Sequence, residues 1–466
     1  MGIVMTRANA CGDPYVMLSD VVAEILVAER FDSLPTAEKA RLHLRLMTMA
    51  LWYGCDLSDL QLLEFSSDGN DDLSFHGQGR YGDYPGPHCV VDGGVRRLVD
   101  AVATTEVLEC LRLNSPVETI VTRRRGEVSP LSTVDRRVSA ATRYGLSVGE
   151  KDEGLPPVTS NGSATATGQV AVEEVSISLT DTVARGESGG IQADAAVVTV
   201  PLSLLQKGII TFDPPLPENA RSAMSRLRLG CYEKIIMEFR EAFWPADVPF
   251  IGCCPENATL PSASLRDAPD TTTDPLPVAP VFLENYLWSK GVPVLAAAVS
   301  GQRAQRVCRG CLEAPTSPAT GIGSNTSADL VDAPEADATG VETRTFELYR
   351  QLVLPALKDS FFDCCHEGDI PKPVSVVITG WADEPCQRGS YSFFPLGAQQ
   401  DDIYMAGQGI ASNSAGVPES PCRVFLAGEA TSVEYEGSMH GAYLSGVRAA
   451  EDVAYAFSRS SRETVA

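Results

Sequence analysis

"VFLAGEATSVEYEGSMHGAYLSGVRAA", residues 424–450, joins a short apolar run, a loop that contains glycine and a second apolar segment. Residues 423–427 predict a buried strand, and Ser438 is placed to cap a helix. The loop between them, 428–437, follows the carboxyl end of the strand and precedes the amino end of the helix. Anions bind at such junctions because the first helix amides point at the ligand. A packed loop beside a core helix is the alternative interpretation.

Other apolar runs predict further strands and helices. Residues Ala193 to Val200 are almost continuously apolar, which is typical of a strand buried on both faces, and Tyr232 to Phe239 form a second strand. Residues 18–53 show the spacing of amphipathic helices. The helix after Ser438 is expected to bury one face, formed by Leu444, Val447, Ala450, Ala454 and Phe457. Strands that lead into loops and helices indicate an α/β fold.

Length and composition allow a large protein core. The chain has 466 residues, of which 44% are hydrophobic, and its length suggests two or three domains. Three segments, at 126–168, 255–279 and 312–341, are poor in large apolar residues and rich in small and polar ones. We expect these segments to be disordered surface insertions.

Charge and cysteine usage exclude some classes of function. A net charge of −24 argues against general affinity for nucleic acid and is compatible with a cationic substrate. Thirteen cysteines suit free thiols in a reducing compartment, and the pair Cys308 and Cys311 lacks the second pair that a zinc ribbon needs, so no metal site is expected. No apolar stretch of membrane-spanning length and no secretory leader is evident, which predicts an intracellular, cytoplasmic location.

The stretch "GQGRYGDY", residues 77–84, matches the G-x-G-x-x-G pattern of dinucleotide-binding proteins. That pattern binds pyrophosphate only between a buried strand and a helix. The preceding residues 71–76 are too polar for a central strand, and Pro85 and Pro87 prevent a helix from beginning there. The stretch therefore predicts a turn rich in glycine.

Five segments carry a further signal: "DAAVVTVPLSLLQKGIITFDPPLP" (194–217), "RLRLGCYEKIIMEFREAFWP" (226–245), "VPVLAAAVSG" (292–301), "WADEPCQRGSYS" (381–392) and the stretch 424–450. In this order along the chain they closely resemble the FAD-dependent amine oxidases. This family includes polyamine oxidases, monoamine oxidases and flavin-dependent histone lysine demethylases. Residues 50–125 fit the family more loosely.

The resemblance implies an FAD site. Gly428 and Glu429 would contact the pyrophosphate or ribityl part of FAD, and the amide of Met439, on the helix that Ser438 opens, would face the pyrimidine carbonyl of the flavin. A helix amino terminus there would stabilise the negative charge of reduced flavin.

Four further positions resemble cofactor contacts. Val117 corresponds to a position near adenine, and Thr199, Val200 and Pro201 correspond to a stretch that runs along the cofactor. Simple strand packing is the alternative for these residues.

The resemblance also implies a catalytic lysine and an aromatic substrate pocket. Lys234 would hold a water against flavin N5, although a solvated lysine on a strand face is the plain alternative. Trp381 and Tyr391 would frame the substrate amine, and Tyr435 would form a second aromatic wall. Cys386 stands where histone demethylases carry a further tryptophan.

We therefore expect two discontinuous domains, with a substrate-binding domain at 1–86 and 232–400 and an FAD-binding domain at 87–231 and 401–466. The substrate domain would contain a mixed sheet and helices. The expected reaction is oxidation of a polyamine carbon–nitrogen bond, with hydride transfer to flavin N5 and release of hydrogen peroxide.

Members of this family open with a strand, a true G-x-G-x-x-G, a helix and an acidic residue that binds the adenosine ribose. The sequence does not contain this unit, so we expect it to begin inside the substrate domain and to have an incomplete Rossmann-like domain. Two explanations stay open. The chain is a truncated product of a working oxidase, or it is a pseudoenzyme or interaction protein that binds FAD weakly or not at all.

Overall fold

The structure is a computed structural model that describes residues 2–62, 91, 93–124, 173–179, 190–255, 258, 279–312, 338–361, 370–409, 423–433 and 435–463. The glycine-rich stretch 77–84 lies outside the described residues, as do most of the three segments expected to be disordered.

The described residues form both helices and strands. The helices are α1 (Gly2–Ala10), α2 (Leu18–Ala28), α3 (Thr36–Tyr53), α4 (Arg96–Val102), α5 (Thr105–Glu109), α6 (Leu202–Gln206), α7 (Glu218–Arg226), α8 (Tyr286–Lys290), α9 (Gly301–Leu312), α10 (Ala338–Leu352), α11 (Leu354–Phe361), α12 (Gln400–Ala406) and α13 (Met439–Glu463). The strands are β1 (Val117–Arg124), β2 (Glu173–Leu179), β3 (Ile191–Ala193), β4 (Ala196–Val198), β5 (Thr211–Asp213), β6 (Arg228–Leu229), β7 (Tyr232–Glu238), β8 (Phe250–Cys253), β9 (Val281–Asn285), β10 (Val294–Ser300), β11 (Ser375–Ile378), β12 (Ser392–Phe393) and β13 (Val424–Leu426). The predicted α/β fold class is confirmed.

The largest sheet has the strand order β11-β7-β10-β9-β8, with antiparallel pairing throughout. Side chains alternate between its two faces, so Ile235, Met237 and Phe239 point into a core formed with α9, α10 and α11. Tyr232 and Lys234 point to the opposite face, which packs near α3. One face of this sheet therefore belongs to the core, and the other is open to polar side chains.

A second sheet, β3-β2-β1-β5, mixes antiparallel and parallel pairs, and a parallel pair is formed by β4 and β13. The apolar run predicted as one strand over 193–200 is divided between two sheets, because β3 and β4 pair with different partners. The amide of Ala196 donates to the carbonyl of Arg423 at 2.8 Å, which starts the parallel pair. The predicted strand at 423–427 is confirmed as β13, whose residues are all buried.

The helix predicted after Ser438 is confirmed as α13, but the face predicted to be buried is wrong. Gly441, Ser445, Ala449 and Ala456 are buried, whereas Val447 is exposed. Ala449 and Ala456 pack against the Phe425 and Ala427 region of the chain. Small side chains let the helix approach the strand closely, and a search for large apolar residues does not detect such a face.

Asp56 is a partly buried carboxylate at the amino end of α9. It accepts a hydrogen bond from the amide of Gln302 at 2.9 Å. Gly301 has a φ of 61°, and a Cβ there would lie 2.4 Å from a carboxylate oxygen of Asp56. Both the backbone conformation and the space therefore require glycine at this position.

Burial raises the pKa of Asp56 to about 6, with a smaller contribution from the charge of Asp59, while the Gln302 amide opposes the rise. A raised folded-state pKa means that the proton on Asp56 stabilises the fold below about pH 4, and this contribution is lost as the pH rises through about 6.

The variant Asp56→Asn keeps an oxygen for the helix amide and removes the titration. We expect the free energy of unfolding of this variant, relative to the natural chain, to rise by about 2 kcal/mol between pH 4.5 and pH 7.5. Urea unfolding of both proteins at both pH values measures this change. A difference in free energy of unfolding that is the same at the two pH values would contradict the prediction.

Among the described residues, no helix combines the length and the apolar composition needed to cross a membrane. The domain boundaries expected from the sequence stay a prediction.

Candidate active site

The carboxyl ends of β4 and β13 form the first part of the site. The amide of Ala427 donates to the carbonyl of Val198 at 3.0 Å, and Gly428 follows with a φ of 136°. A Cβ added at Gly428 would meet no heavy atom of the described residues within 4 Å. Its amide donates to the Ser445 hydroxyl at 2.9 Å, which ties the glycine to α13. The backbone at Gly428 therefore faces open space at the end of a parallel strand pair.

Ser438 caps α13, as predicted. Its hydroxyl accepts a hydrogen bond from the amide of Gly441 at 3.0 Å and donates to the carbonyl of Tyr435 at 2.7 Å. The Met439 side chain is 47% exposed at this end of the helix. A 25-residue helix carries partial positive charge at its amino terminus, so an anionic edge of a ligand would be stabilised beside Met439.

The carboxylate of Glu429 is bound by the protein itself. It accepts hydrogen bonds from the amide of Ser392 at 3.2 Å, from the Ser392 hydroxyl at 2.5 Å and from the amide of Gly437 at 2.8 Å. Glu429 therefore joins β12 to the loop before α13. Its predicted contact with a cofactor stays a prediction.

We expect Glu429→Gln to lower the free energy of unfolding by about 1–3 kcal/mol, because a neutral amide replaces the charged acceptor and weakens the hydrogen bonds from Ser392 and Gly437. Thermal and urea unfolding measure this loss. The matched control is Glu451→Gln, on an exposed position of α13, which should be nearly neutral. An equal effect of the two substitutions would contradict the bridging role of Glu429.

Lys234 forms the second part of the site. Its Nζ lies 2.7 Å from Oε1 of Glu284, with side chains 28% and 26% exposed. The hydroxyl of Tyr286 donates to Oε2 of the same carboxylate at 3.2 Å. Lys234 is therefore held in a partly buried ion pair, and the plain alternative of a solvated lysine does not describe it.

Tyr391 lies between the two parts of the site. Its ring centroid is 6.3 Å from that of Tyr232, which shares the sheet face of Lys234. The Tyr391 hydroxyl donates to the carbonyl of Leu51 at 2.7 Å, and burial raises the pKa of this phenol. A Cβ added at Gly437 would lie 3.4 Å from the Tyr391 ring. Tyr391 therefore brings the lysine side and the Glu429 side of the site together.

Trp381 is 50% exposed, in the segment that follows β11. This segment is anchored by Glu233, a fully buried neighbour of Lys234. The Glu233 carboxylate accepts from the Thr379 hydroxyl at 2.6 Å, the Ala382 amide at 3.1 Å and the Cys308 thiol at 2.9 Å. The strand that carries the lysine thus also fixes the position of Trp381.

Tyr435 is only 4% exposed, and its ring packs edge-on against His440 at 4.7 Å between centroids. Burial lowers the pKa of His440. The predicted aromatic wall at Tyr435 is therefore closed against the first turn of α13 in this structure, and its contact with a substrate stays a prediction.

The remaining predicted cofactor positions lie at the ends of strands. Val117 begins β1 and Val200 follows β4, and both are partly buried against the same core cluster. Thr199 is exposed, and Pro201 is partly buried just before α6. Each of these positions fits either strand packing or a contact along an extended cofactor.

Sequence reasoning missed Glu233 and Glu284. A glutamate within an apolar strand is the available signal, since "CYEKIIM" and "VFLEN" each place one carboxylate among buried residues. Neither pattern identifies the partner, because Thr379 and Lys234 come from distant parts of the chain. Among the described residues, no group of three or more His, Cys, Asp and Glu side chains could hold a metal ion.

The first part of the site has features that suit FAD. Gly428 gives space for a backbone approach, the start of α13 offers positive charge, and Val197 and Met439 leave apolar surface exposed beside them. A flat, partly anionic group with apolar rings matches these features. Gly428, Ser438 and Met439 would hold such a group.

Comparison with known proteins identifies the family. The sequence profile described as flavin containing amine oxidoreductase matches residues 169–310 and 310–454. The chain is 27% identical over 274 residues to lysine-specific histone demethylase 1 homolog 1 of Oryza sativa subsp. japonica, covering 58% of this chain and 25% of that protein. It is 28% identical over 260 residues to probable polyamine oxidase 4 of Arabidopsis thaliana, covering 56% of this chain and 38% of that protein.

Among solved structures, a cofactor-binding redesign of putrescine oxidase aligns with a TM-score of 0.42 and 14% identity, covering 78% of this chain and 53% of that one. The chain spans about a quarter of the length of the first histone demethylase relatives. Because the family profile matches more than half of its 466 residues, the chain belongs to the flavin containing amine oxidoreductases, whose cofactor is FAD.

Proposed function

We propose that this protein oxidises the carbon–nitrogen bond of a polyamine, giving an imine that water hydrolyses to an aldehyde, together with hydrogen peroxide. Gly428, Ser438 and Met439 would hold FAD, which would supply the acceptor for the hydride from the carbon beside the amine and the route for the electrons to oxygen. The observation that carries the proposal is the Lys234–Glu284 ion pair, 2.7 Å long, on the sheet face that also carries Tyr232 beside Tyr391.

Each residue has a physical role in this proposal. The ammonium of Lys234 holds a water near the reacting atoms. Tyr391 and Trp381 present aromatic faces that attract the amine as a cation, and desolvation of the amine against these rings would favour its deprotonated form, which is the one that gives up hydride. The amino terminus of α13, at Met439, stabilises negative charge on the reduced cofactor.

One observation favours a polycation over a monoamine, and a second favours a polyamine over methyl-lysine. The net charge of −24 attracts a polycation. Cys386 stands where histone demethylases carry a further aromatic side chain, and it is exposed here. The relatives include both classes, so their names support an amine substrate without selecting one.

A second candidate is a protein without turnover that acts through binding. Exposed apolar side chains on and around α4 and α5, such as Leu98, Val102 and Leu111, favour this alternative. Such surface is typical of a contact with another protein or chain segment.

The test is the visible spectrum and the peroxide yield of the purified chain after incubation with FAD. We expect a yellow protein that releases hydrogen peroxide with spermine, spermidine or their acetyl forms. Benzylamine and a dimethyl-lysine peptide serve as the competing substrates. A colourless protein that FAD does not reconstitute would reject the oxidase, and a preference for the peptide would reject the polyamine.

A further inference from the structure

We propose that Glu284 is a positioning residue that fixes the direction of the Lys234 ammonium at the reaction site. The inference rests on the proposed function for its catalytic consequence. The ion pair itself is a property of the chain and can be tested without a substrate.

The register of the sheet brings the two residues together. Lys234 on β7 lies opposite Ala298 on β10, and Glu284 on β9 lies opposite Ala296 on the same strand. Lys234 and Glu284 therefore stand on one face of the sheet, two strands apart and displaced by two residues along β10. Neighbouring strands are about 4.8 Å apart and each residue adds about 3.4 Å along a strand, so the side chains must bridge about 12 Å.

The intervening strand leaves room for this bridge. Ala296 and Ala298, the alanine pair, are 1% and 4% exposed and carry only methyl groups. The lysine and glutamate side chains extend over these methyl groups and meet at 2.7 Å between Nζ and Oε1. An extended lysine chain has many rotamers, and ordering it costs conformational entropy. The ion pair offsets that cost and leaves the ammonium in one position.

The carboxylate is itself oriented. Its second oxygen accepts from the hydroxyl of Tyr286, which follows β9 directly. Lys234 contacts Oε1 and Tyr286 donates to Oε2, so the negative charge of Glu284 is already balanced by the lysine and attracts a second substrate cation only weakly. The arrangement therefore favours a role through the lysine over a role in binding the polyamine.

The effect on the lysine is tested by NMR of the ammonium group in protein labelled with nitrogen-15 lysine. The chain has seven lysines, and loss of one signal in Lys234→Arg assigns Lys234. A lysine ammonium gives a visible cross-peak when a persistent ion pair slows its proton exchange. We expect the Lys234 cross-peak in the natural chain and its loss in Glu284→Gln, in the presence or absence of FAD. The control Glu238→Gln changes an exposed carboxylate at the end of β7 and should leave the cross-peak in place.

The effect on catalysis is tested with the FAD-loaded protein. Small displacements of a catalytic group reduce rates strongly, so kcat should fall about tenfold in Glu284→Gln with KM nearly unchanged. Glu284→Asp keeps the charge on a shorter side chain, so its kcat should lie between that of the natural chain and that of Glu284→Gln. This variant takes the place of Glu284→Gln if Glu284→Gln does not fold.

Two results would overturn the proposal. A raised KM at unchanged kcat would make Glu284 a substrate-binding residue, and a retained Lys234 cross-peak in Glu284→Gln would show that the carboxylate does not order the lysine. If no amine is oxidised, the proposed function fails on its own evidence, and the NMR result still decides whether Glu284 orders Lys234.

Discussion

Replacing Lys234 with methionine is expected to slow amine oxidation by the FAD-loaded protein about a hundredfold or more. Methionine keeps an unbranched side chain but removes the ammonium that we propose holds a water at the reacting atoms, and loss of one preorganised polar group commonly costs about 10²–10³ in rate. Rapid mixing under anaerobic and aerobic conditions separates the reduction of the cofactor by the amine from its reoxidation by oxygen.

Two controls separate the loss of the Lys234 ammonium from other effects of the substitution, such as an unpaired Glu284 carboxylate. Lys358→Met removes an exposed lysine of α11 and should leave both rates unchanged. Lys234→Met also leaves Glu284 without its cation, so the double variant Lys234→Met with Glu284→Gln restores a neutral pair. If the double variant regains the natural rate, the damage came from the unpaired carboxylate. Unchanged turnover in Lys234→Met itself would remove the lysine from the mechanism.

Replacing Glu233 with alanine is expected to lower the free energy of unfolding by about 3–5 kcal/mol. The substitution removes a fully buried carboxylate that accepts hydrogen bonds from three donors, the Thr379 hydroxyl, the Ala382 amide and the Cys308 thiol. It also leaves a cavity beside the core of the large sheet. Urea unfolding, extrapolated to water, measures the loss.

The control for this prediction is Glu238→Ala, which removes an exposed carboxylate from the same strand and should change the free energy of unfolding by less than about 1 kcal/mol. The fluorescence of Trp381 adds a local readout, since Glu233 anchors the segment in which Trp381 lies. Equal stability losses in the two variants would mean that the buried hydrogen bonds of Glu233 contribute little.

The sequence predicted those features that depend on neighbouring residues. Alternation of side chains identified β7, a short apolar run identified β13, and Ser438 identified the start of α13. The α/β class followed from the same patterns. These signals are local because periodicity and capping operate within a few residues.

The features that the sequence did not predict depend on pairing between distant segments. The run at 193–200 is apolar throughout, yet its two ends join different sheets because their partners differ. The buried face of α13 consists of small residues, which the pattern of large ones did not reveal. Glu284 gained significance only when the register of β9 and β10 was known.

The predicted site residues differ in how directly the geometry connects them. Lys234, Tyr391 and Glu429 are linked through contacts with Tyr232, Gly437 and Ser392. Trp381 is linked to the lysine strand through Glu233, whereas Tyr435 is buried against His440. The roles of these residues toward FAD and substrate stay predictions that the experiments above address.

The alanine pair on β10 lies between Lys234 and Glu284. Ala296 and Ala298 touch no proposed reactant, carry no charge and belong to a strand that has neither the lysine nor the glutamate. A single added methyl group at either position would act as a spacer between the two charges. Uncharged, buried substitutions at these two positions would therefore change the reach of the lysine in small steps, and the proposed oxidation rate would change while every residue with an obvious chemical role stayed the same.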